Sequence, residues 1–528
     1  MFRRVMCVLT AMTISFAVLA YRTADLCLQT ETAGISNSGL LLEIASVRGT
    51  VYDCNMKPLT NAEYKFTAIA KPTQKAAAVL EKELDKTEFE AIKERILSGR
   101  PVTATVGSKE CGNSDIKVIS VPERYLPIAC HIIGYTDYSG CGVSGAEKAF
   151  DGILSASEKS YTARIETDAH GRVFLGEDIQ ASDVSAPVSG VMLTIDRDIQ
   201  QIVESALDSS GNECAAAVVI DVNSGAIRAC ASRPQYKQYD VASVLKNPDS
   251  PLINRAFLPF SVGSVFKPVV AAAALESGVG TDFSYECTGS VTVNGVTFNC
   301  HKHEGHGKID MKQAVANSCN TYFIELAKKV GAEKIISTAQ AFGFGREIVF
   351  ADGMKSRAGV LPTAVEIDSL AALANISFGQ GALTATPVQI CAMYAAIANG
   401  GIYVEPYLAE GTVAEDGTVE KFFSERAGER IISQRTAEIL KEFLVAVIEE
   451  GSGSRAKAEN VICGGKTATA QTGRTENGEE IYNAWFAGFY SAERPRYAIV
   501  ILKENGGEGA LSCAPVFKKI VENMPEEN

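Results

Sequence analysis

At 528 residues the chain is too long for one hydrophobic core, and at about 100–200 residues per domain it divides into about three units. Its 46% hydrophobic and 21% charged residues exclude a disordered chain, and a net charge of −13 with no basic run argues against nucleic-acid binding. Fourteen cysteines without a single C-x-x-C pair exclude a ribbon-type zinc module and a thioredoxin motif, and most read as small buried hydrophobes.

In chain order, Arg3 and Arg4 precede an uncharged stretch at 5–21 that Arg22 closes. Its length is at the short end of the ~17–25 residues that span a bilayer. The arginines ahead of it predict a cytoplasmic tail at 1–4, an anchor at 5–21 and a translocated remainder. A cleaved signal peptide, with Val18-Leu19-Ala20 as its processing site, is the competing reading; the length of the stretch favours the uncleaved anchor. Both readings put the body of the chain outside the cytoplasm.

Arg48-Gly-Thr-Val-Tyr-Asp-Cys54 reads as a strand entering a turn at Asn55. Over 71–100, Val79, Leu80, Leu84, Phe89 and Ile92 recur at helical spacing and predict one long helix. A glycine-rich block follows at 131–154. No catalytic cluster occurs in 22–186, which is read as a non-catalytic pedestal.

Residues 187–190 mark the boundary to a second region, 187–528. There Met192-Leu-Thr-Ile-Asp196 passes from a strand into a helix that Asp196 can cap. Strands are predicted at 215–221 and 226–232 around the turn Asn223-Ser-Gly225, then at 466–472, 484–490 and 497–503, with a last helix at 514–523. About 230 mostly helical residues separate the two strand groups. The pattern predicts an α+β domain whose sheet is assembled from both ends of one region.

Three short segments in this region carry chemistry. Ser264-Val-Phe-Lys267 opens a buried helix, and residues three apart share a face, so the Lys267 amine lies over the Ser264 hydroxyl. A serine needs a base; a lysine serves if burial and a second cation depress its pKa, and Lys466 is the candidate cation. The helix start also aims free N–H groups at a developing oxyanion. In Ser318-Cys-Asn320 the hydroxyl of Ser318 can relay a proton, and Asn320 can hold a substrate amide or the lysine. Lys466-Thr467-Ala468 starts a strand on which Thr467 and Thr469 share one face, two hydroxyls suited to a substrate carboxylate. Each triplet alone is a common chance match; their order and contexts fit one serine acyl-transfer site with a lysine base. Outside it, Cys287, Cys300, His301, His303 and His306 crowd into twenty residues as a Cys287–Cys300 disulfide, a zinc site or a histidine-bearing loop.

Taken together these segments resemble the class B penicillin-binding proteins, monofunctional peptidoglycan DD-transpeptidases, over nearly the whole chain. Arg48-Gly-Thr-Val-Tyr-Asp53, His131-Ile-Ile-Gly-Tyr135 and Ser144-Gly-Ala-Glu-Lys148 resemble landmarks of that family's non-catalytic domain, which β-lactamases lack. Leu193-Thr-Ile-Asp196, Asn254-Arg-Ala256, Phe378-Gly-Gln-Gly381, Thr386-Pro-Val-Gln389 and Ala484-Trp-Phe-Ala-Gly-Phe489 resemble its catalytic ones. The resemblance implies a transpeptidase fold, its five strands antiparallel and flanked by helices. It implies that Ser264 is acylated by the penultimate D-alanine of a stem peptide, with Lys267 as base, Ser318 with Lys466 as proton relay, Thr467 and Thr469 at the carboxylate, and backbone N–H groups of Ser264 and Thr469 as oxyanion hole. It further implies inhibition by β-lactams, a membrane glycan polymerase as partner, and neither metal nor other cofactor. Ala468 stands where the family has glycine, and its methyl is expected to press on the helix carrying Ser264; Val262 replaces a usual proline. Two other readings are a hydrolase (a carboxypeptidase or β-lactamase), for which no glutamate offers itself to activate water, and a catalytically weak scaffold.

Overall fold

The computed structural model describes every residue except 1, 33–38, 168–172, 175, 212–213, 422–426, 477 and 526–528. The chain gathers into two compact units. Met1–Val47, Glu63–Glu123 and Lys159–Ala186 form one; Arg48–Ala62, Arg124–Glu158 and Pro187–Asn528 form the other.

In the first unit, the segment expected as an anchor lies inside an N-terminal helix, Phe2–Thr32. Leu9, Met12, Phe16 and Leu19 are exposed on it. The side chains of 2–5, 7 and 26–32 lie outside the described ones, and among the described residues no helix is long and apolar enough to cross a membrane. Gly39–Val47 pairs antiparallel with Lys159–Glu166. The helix expected over 71–100 is two helices, Gln74–Glu83 and Lys86–Leu97. Asp85 breaks it: its carboxylate accepts from the backbone N–H groups of Thr87 and Glu88, both at 2.8 Å, and so starts a new helix where the old one would have continued. Ala76, Leu80, Phe89 and Ile96 are the buried positions of the pair.

The second unit is built on one five-stranded antiparallel sheet. Its strands are β1 (Ala215–Asp221), β2 (Ile227–Ser232), β3 (Gly464–Glu476), β4 (Glu479–Tyr490) and β5 (Tyr497–Lys503), in the order β3-β4-β5-β1-β2. The sheet is therefore closed by its C-terminal strands pairing with its N-terminal ones: β5 meets β1 with Val500 opposite Val218. β3 is an edge strand. The near-continuous apolar runs of β1 and β5 reflect burial on both faces. Val218, Val500 and Ala487 pack with α2 (Lys267–Glu276) and α4 (Pro387–Ala398) on one face. Val219, Ile499 and Phe486 pack with α1 (Arg197–Asp208) and α6 (Ala514–Asn523) on the other. Asp196 caps α1 as expected, accepting from Asp198 N and Ile199 N.

Between the strand groups also lie α3 (Asn320–Val330) and α5 (Gln434–Glu449). Helix α2 is apolar on every side, and Ala271 to Ala274 are wholly buried, so small side chains let neighbouring elements approach its backbone closely. The motif at Arg48 serves this unit. Arg48 pairs with Asp151 at 2.7 Å and with the fully buried Glu147 at 3.3 Å, while Arg124 reaches Glu147 at 2.6 Å. Asp53 accepts from the N–H groups of Asn55, Lys57 and Arg197, which fixes the turn expected at Asn55.

Candidate active site

Ser264 does not sit in the first α-helical turn. It lies in a 3-10 turn, Gly263–Phe266, that runs directly into α2 at Lys267. Residues three apart eclipse one another in such a turn, which keeps Ser264 and Lys267 on one line. The turn is held from three sides. Gly263 N donates to Gly379 O at 2.8 Å, Tyr394 Oη to Val265 O at 3.2 Å, and Trp485 Nε1 to Ser261 O at 2.9 Å. These bonds give a physical role to two of the recognised landmarks. Gly379 has no side chain because a Cβ there would fall 2.0 Å from Gly263 O, and Trp485 ties β4 to the approach of the nucleophile.

Lys267 is fully buried. Its Nζ donates to Ser318 O at 2.7 Å, Ser318 Oγ at 3.2 Å and Asn320 Oδ1 at 2.8 Å, and stands 5.4 Å from the centre of the Phe323 ring. Ser318 adopts a left-handed backbone, φ 55°, which turns both its carbonyl and its hydroxyl to the lysine. Asn320 opens α3, and its amide also donates to Asn299 O at 3.2 Å. Among the described residues no hydrogen bond reaches the half-buried Ser264 hydroxyl, which leaves it open to an incoming group. Burial lowers the Lys267 pKa to about 8, against an opposing pull from Cys319 and Cys300.

Lys466 on β3 is also fully buried. Burial first, and the Lys267 charge second, push its pKa well below the usual lysine range. Its Nζ donates to Thr467 O at 3.3 Å and Ser452 Oγ at 3.4 Å. Ser452, in the loop after α5, was not singled out from sequence. Its N–H and its hydroxyl both donate to Ala316 O, at 3.0 and 3.1 Å, so it joins the Lys466 strand to the segment leading into Ser318. A short Gly451-Ser-Gly453 turn is the only signal that could have pointed to it.

The expected crowding by Ala468 is absorbed at the turn. Gly263 has φ +64°, and a Cβ there would lie 3.1 Å from Ala470 Cβ and 3.3 Å from Ala468 Cβ. The missing side chain of Gly263 is the space that the Ala468 methyl uses. Strand alternation puts Lys466, Ala468 and Ala470 on this face and Thr467 and Thr469 on the other. Thr467 is 7% exposed, whereas Thr469 is open to solvent and its hydroxyl accepts from Gly509 N at 3.3 Å, leaving its own proton to donate.

The Cys/His group resolves differently from its sequence grouping. Cys287 and Cys300 are free thiols, so of the three readings open from sequence the Cys287–Cys300 disulfide is not formed. His301 and His303 are exposed. Cys287, Cys300 and His306 come together with Cys319, the middle residue of the Ser318-Cys-Asn320 segment. In the sequence that segment points to its hydroxyl and amide alone, and Cys319 follows Cys300 by nineteen residues, outside any local metal spacing.

Known proteins share this arrangement of chain. The family model described as the penicillin binding protein transpeptidase domain matches residues 215–522. The chain is 30% identical to Stage V sporulation protein D of Bacillus subtilis (strain 168), across 91% of this chain and 78% of that protein. It is 28% identical to peptidoglycan D,D-transpeptidase FtsI of Escherichia coli (strain K12), across 75% of this chain and 66% of that one. Among solved structures, penicillin binding protein 3 of Mycobacterium tuberculosis complexed with ampicillin superposes with a TM-score of 0.65 at 25% identity, covering 91% of this chain and 95% of that one. The D,D-transpeptidase domain of a peptidoglycan glycosyltransferase from Eggerthella lenta gives the same score and identity, over 91% and 98%. With the family's domain spanning more than half of its length, and both its fold and its motifs in place, the chain belongs to the class B penicillin-binding protein transpeptidases.

Proposed function

We propose that the chain cross-links peptidoglycan stem peptides as a serine DD-transpeptidase, through an acyl-enzyme on Ser264, and that β-lactams inhibit it by acylating the same hydroxyl. The observation that carries this reading is the seating of the Lys267 amine, buried and shared between Ser318 and Asn320, one 3-10 turn from an unengaged serine. A lysine brought near neutrality by burial is a usable base, which an exposed one is not. The neutral amine takes the Ser264 proton as Oγ attacks the penultimate D-alanine carbonyl, and backbone N–H groups of Ser264 and Thr469 receive the oxyanion. Collapse breaks the peptide bond. The Lys267 ammonium passes its proton through the Ser318 hydroxyl, with Lys466 as a further member of the relay, to the departing D-alanine amine, and Lys267 is neutral again. The acceptor amine of a neighbouring strand then attacks the acyl carbonyl and gives up a proton through Ser318 to Lys267, which returns it to Ser264 Oγ as the ester bond breaks. Thr467 and Thr469, on the face of the edge strand β3 away from the Ser264 turn, are the proposed carboxylate site for a substrate lying along that edge; Thr469 is exposed and has the proton that its bond to Gly509 leaves free, while Thr467 is 7% exposed.

The same reading assigns 5–21 to a membrane anchor, with 1–4 cytoplasmic, and supports it by the apolar side chains exposed along the N-terminal helix. Within 22–186 the non-catalytic pedestal is assigned beside a membrane glycan polymerase, with Arg48–Ala62 and Arg124–Glu158 packing into the unit of 187–528, the extracytoplasmic catalytic domain. Fluorescent penicillin tests the function: stable label on the wild type and none on Ser264→Ala is expected. No label on either would favour a scaffold, and label that is rapidly lost would favour a hydrolase.

A further inference from the structure

Behind Ser318 the thiols of Cys287, Cys300 and Cys319 and a ring nitrogen of His306 all lie within 4.8 Å of one another. The three cysteines are buried and free. Their spacing distinguishes two fates. A disulfide needs sulfurs about 2.0 Å apart, and Cys300 and Cys319 are 3.9 Å apart. A tetrahedral ion bonded at about 2.3 Å to sulfur and about 2.0 Å to nitrogen sets edges of about 3.8 Å between sulfurs and about 3.5 Å from sulfur to nitrogen. Three of the six edges here are 3.9 Å for Cys300–Cys319 and 3.5 Å from His306 Nδ1 to each of Cys287 and Cys300, and none of the six exceeds 4.8 Å.

The backbone is shaped to deliver these four groups. Cys287 ends a short strand, Tyr285–Cys287, that pairs with Gly307–Ile309, so His306 arrives beside it. The turn from 300 to 306 folds onto that strand through Gly289 and Gly305, both at positive φ; a Cβ on either would fall about 2 Å from backbone, at His303 O and Cys287 O respectively. We propose that Cys287, Cys300, His306 and Cys319 bind a structural zinc ion. Three thiolates and one imidazole, closed and four-coordinate, suit zinc over the hard divalent cations.

The ion's place explains what it does. Cys319 is bonded to both Ser318 and Asn320, and Asn320 also donates to Asn299 O, next to Cys300. One ion thus clamps the 300–306 turn to the start of α3 and positions the two residues that hold Lys267. No step of the reaction passes through it. This positioning role rests on the transpeptidase reading, whereas the metal site does not.

The test uses full-length protein purified without a metal-affinity tag. Elemental analysis is expected to give one zinc per chain, and exchange with cobalt(II) alone to give the visible absorption of a tetrahedral thiolate site. Cys287→Ser, remote from the acyl site, is expected to lose the ion and slow penicillin acylation about tenfold or more, while Cys141→Ser, an exposed thiol elsewhere, keeps both. Should Cys287→Ser fail to fold, the cobalt spectrum of the wild type decides the site alone. A zinc-free protein that labels at full rate would overturn the proposal, as would non-reduced peptide mapping that finds a disulfide between any two of Cys287, Cys300 and Cys319. A zinc-loaded wild type with unchanged acylation in Cys287→Ser would overturn the positioning role. A zinc-loaded wild type that never takes label would count against the transpeptidase reading and leave the site standing.

Discussion

Lys267 decides the chemistry because it is at once buried and multiply hydrogen-bonded; burial, and not the Lys466 cation expected from sequence, is what lowers its pKa. A base must be unprotonated to work, so acylation of Ser264 is expected to rise with pH and level off above about 8, the value to which burial brings Lys267. Stopped-flow acylation across pH 6–10 checks this; a rate still climbing with the ordinary lysine range near 10.4 would mean that Lys267 is not the base. Lys267→Met is expected to slow acylation by roughly 10²–10⁴-fold with the fold retained, since it replaces the amine with an apolar side chain of similar length. At Gly263 the demand is steric. Gly263→Ala meets the Ala468 and Ala470 methyls at a left-handed position, and thermal unfolding is expected to reveal a loss of about 1–2 kcal/mol together with weaker labelling. The residue types were legible in the sequence; their contacts were not. That the amine would rest on Ser318 and Asn320 rather than on Ser264, that Ser318 would be left-handed, and that Cys319 would join distant ligands are all consequences of tertiary closure.

At the level of elements, the five strands were legible because long apolar runs bounded by turns are hard to read otherwise. The expected 215–221 and 497–503 coincide with β1 and β5, while β3 and β4 run on beyond 472 and start before 484, where exposed polar residues extend the hairpin without an apolar signal. The helix expected over 71–100 failed at Asp85, where a capping carboxylate outweighs the continuing apolar period. Nothing in composition marked the change from 3-10 to α geometry between Phe266 and Lys267. Ser452 links the elements of the site, since it takes a hydrogen bond from Lys466 on β3 and gives two to Ala316 before Ser318. Ser452→Ala is expected to slow acylation about five- to tenfold, the scale of one net hydrogen bond, with little change in melting temperature. A fall in stability without a fall in rate would make Ser452 structural only.

Across the whole molecule, the catalytic unit depends on chain closure over about 280 residues, from β1 to β5, so its sheet cannot be completed before the C-terminal strands exist. The family landmarks at Arg48, Asp53 and Glu147 pack within this same unit through ion pairs and turn bonds, which is why the boundary legible at 187–190 does not mark every segment that the unit contains. Removing residues 1–22 is expected to release the protein from membranes while leaving penicillin labelling intact; membrane retention of the truncated chain would argue against the anchor. The most direct test of the acyl-transfer chemistry is intact-mass and peptide mapping after reaction with penicillin. We expect a single penicilloyl adduct on the peptide containing Ser264. An adduct on another residue, or none in folded protein, would contradict a site in which a strand from the far end of the chain completes the nucleophile's machinery.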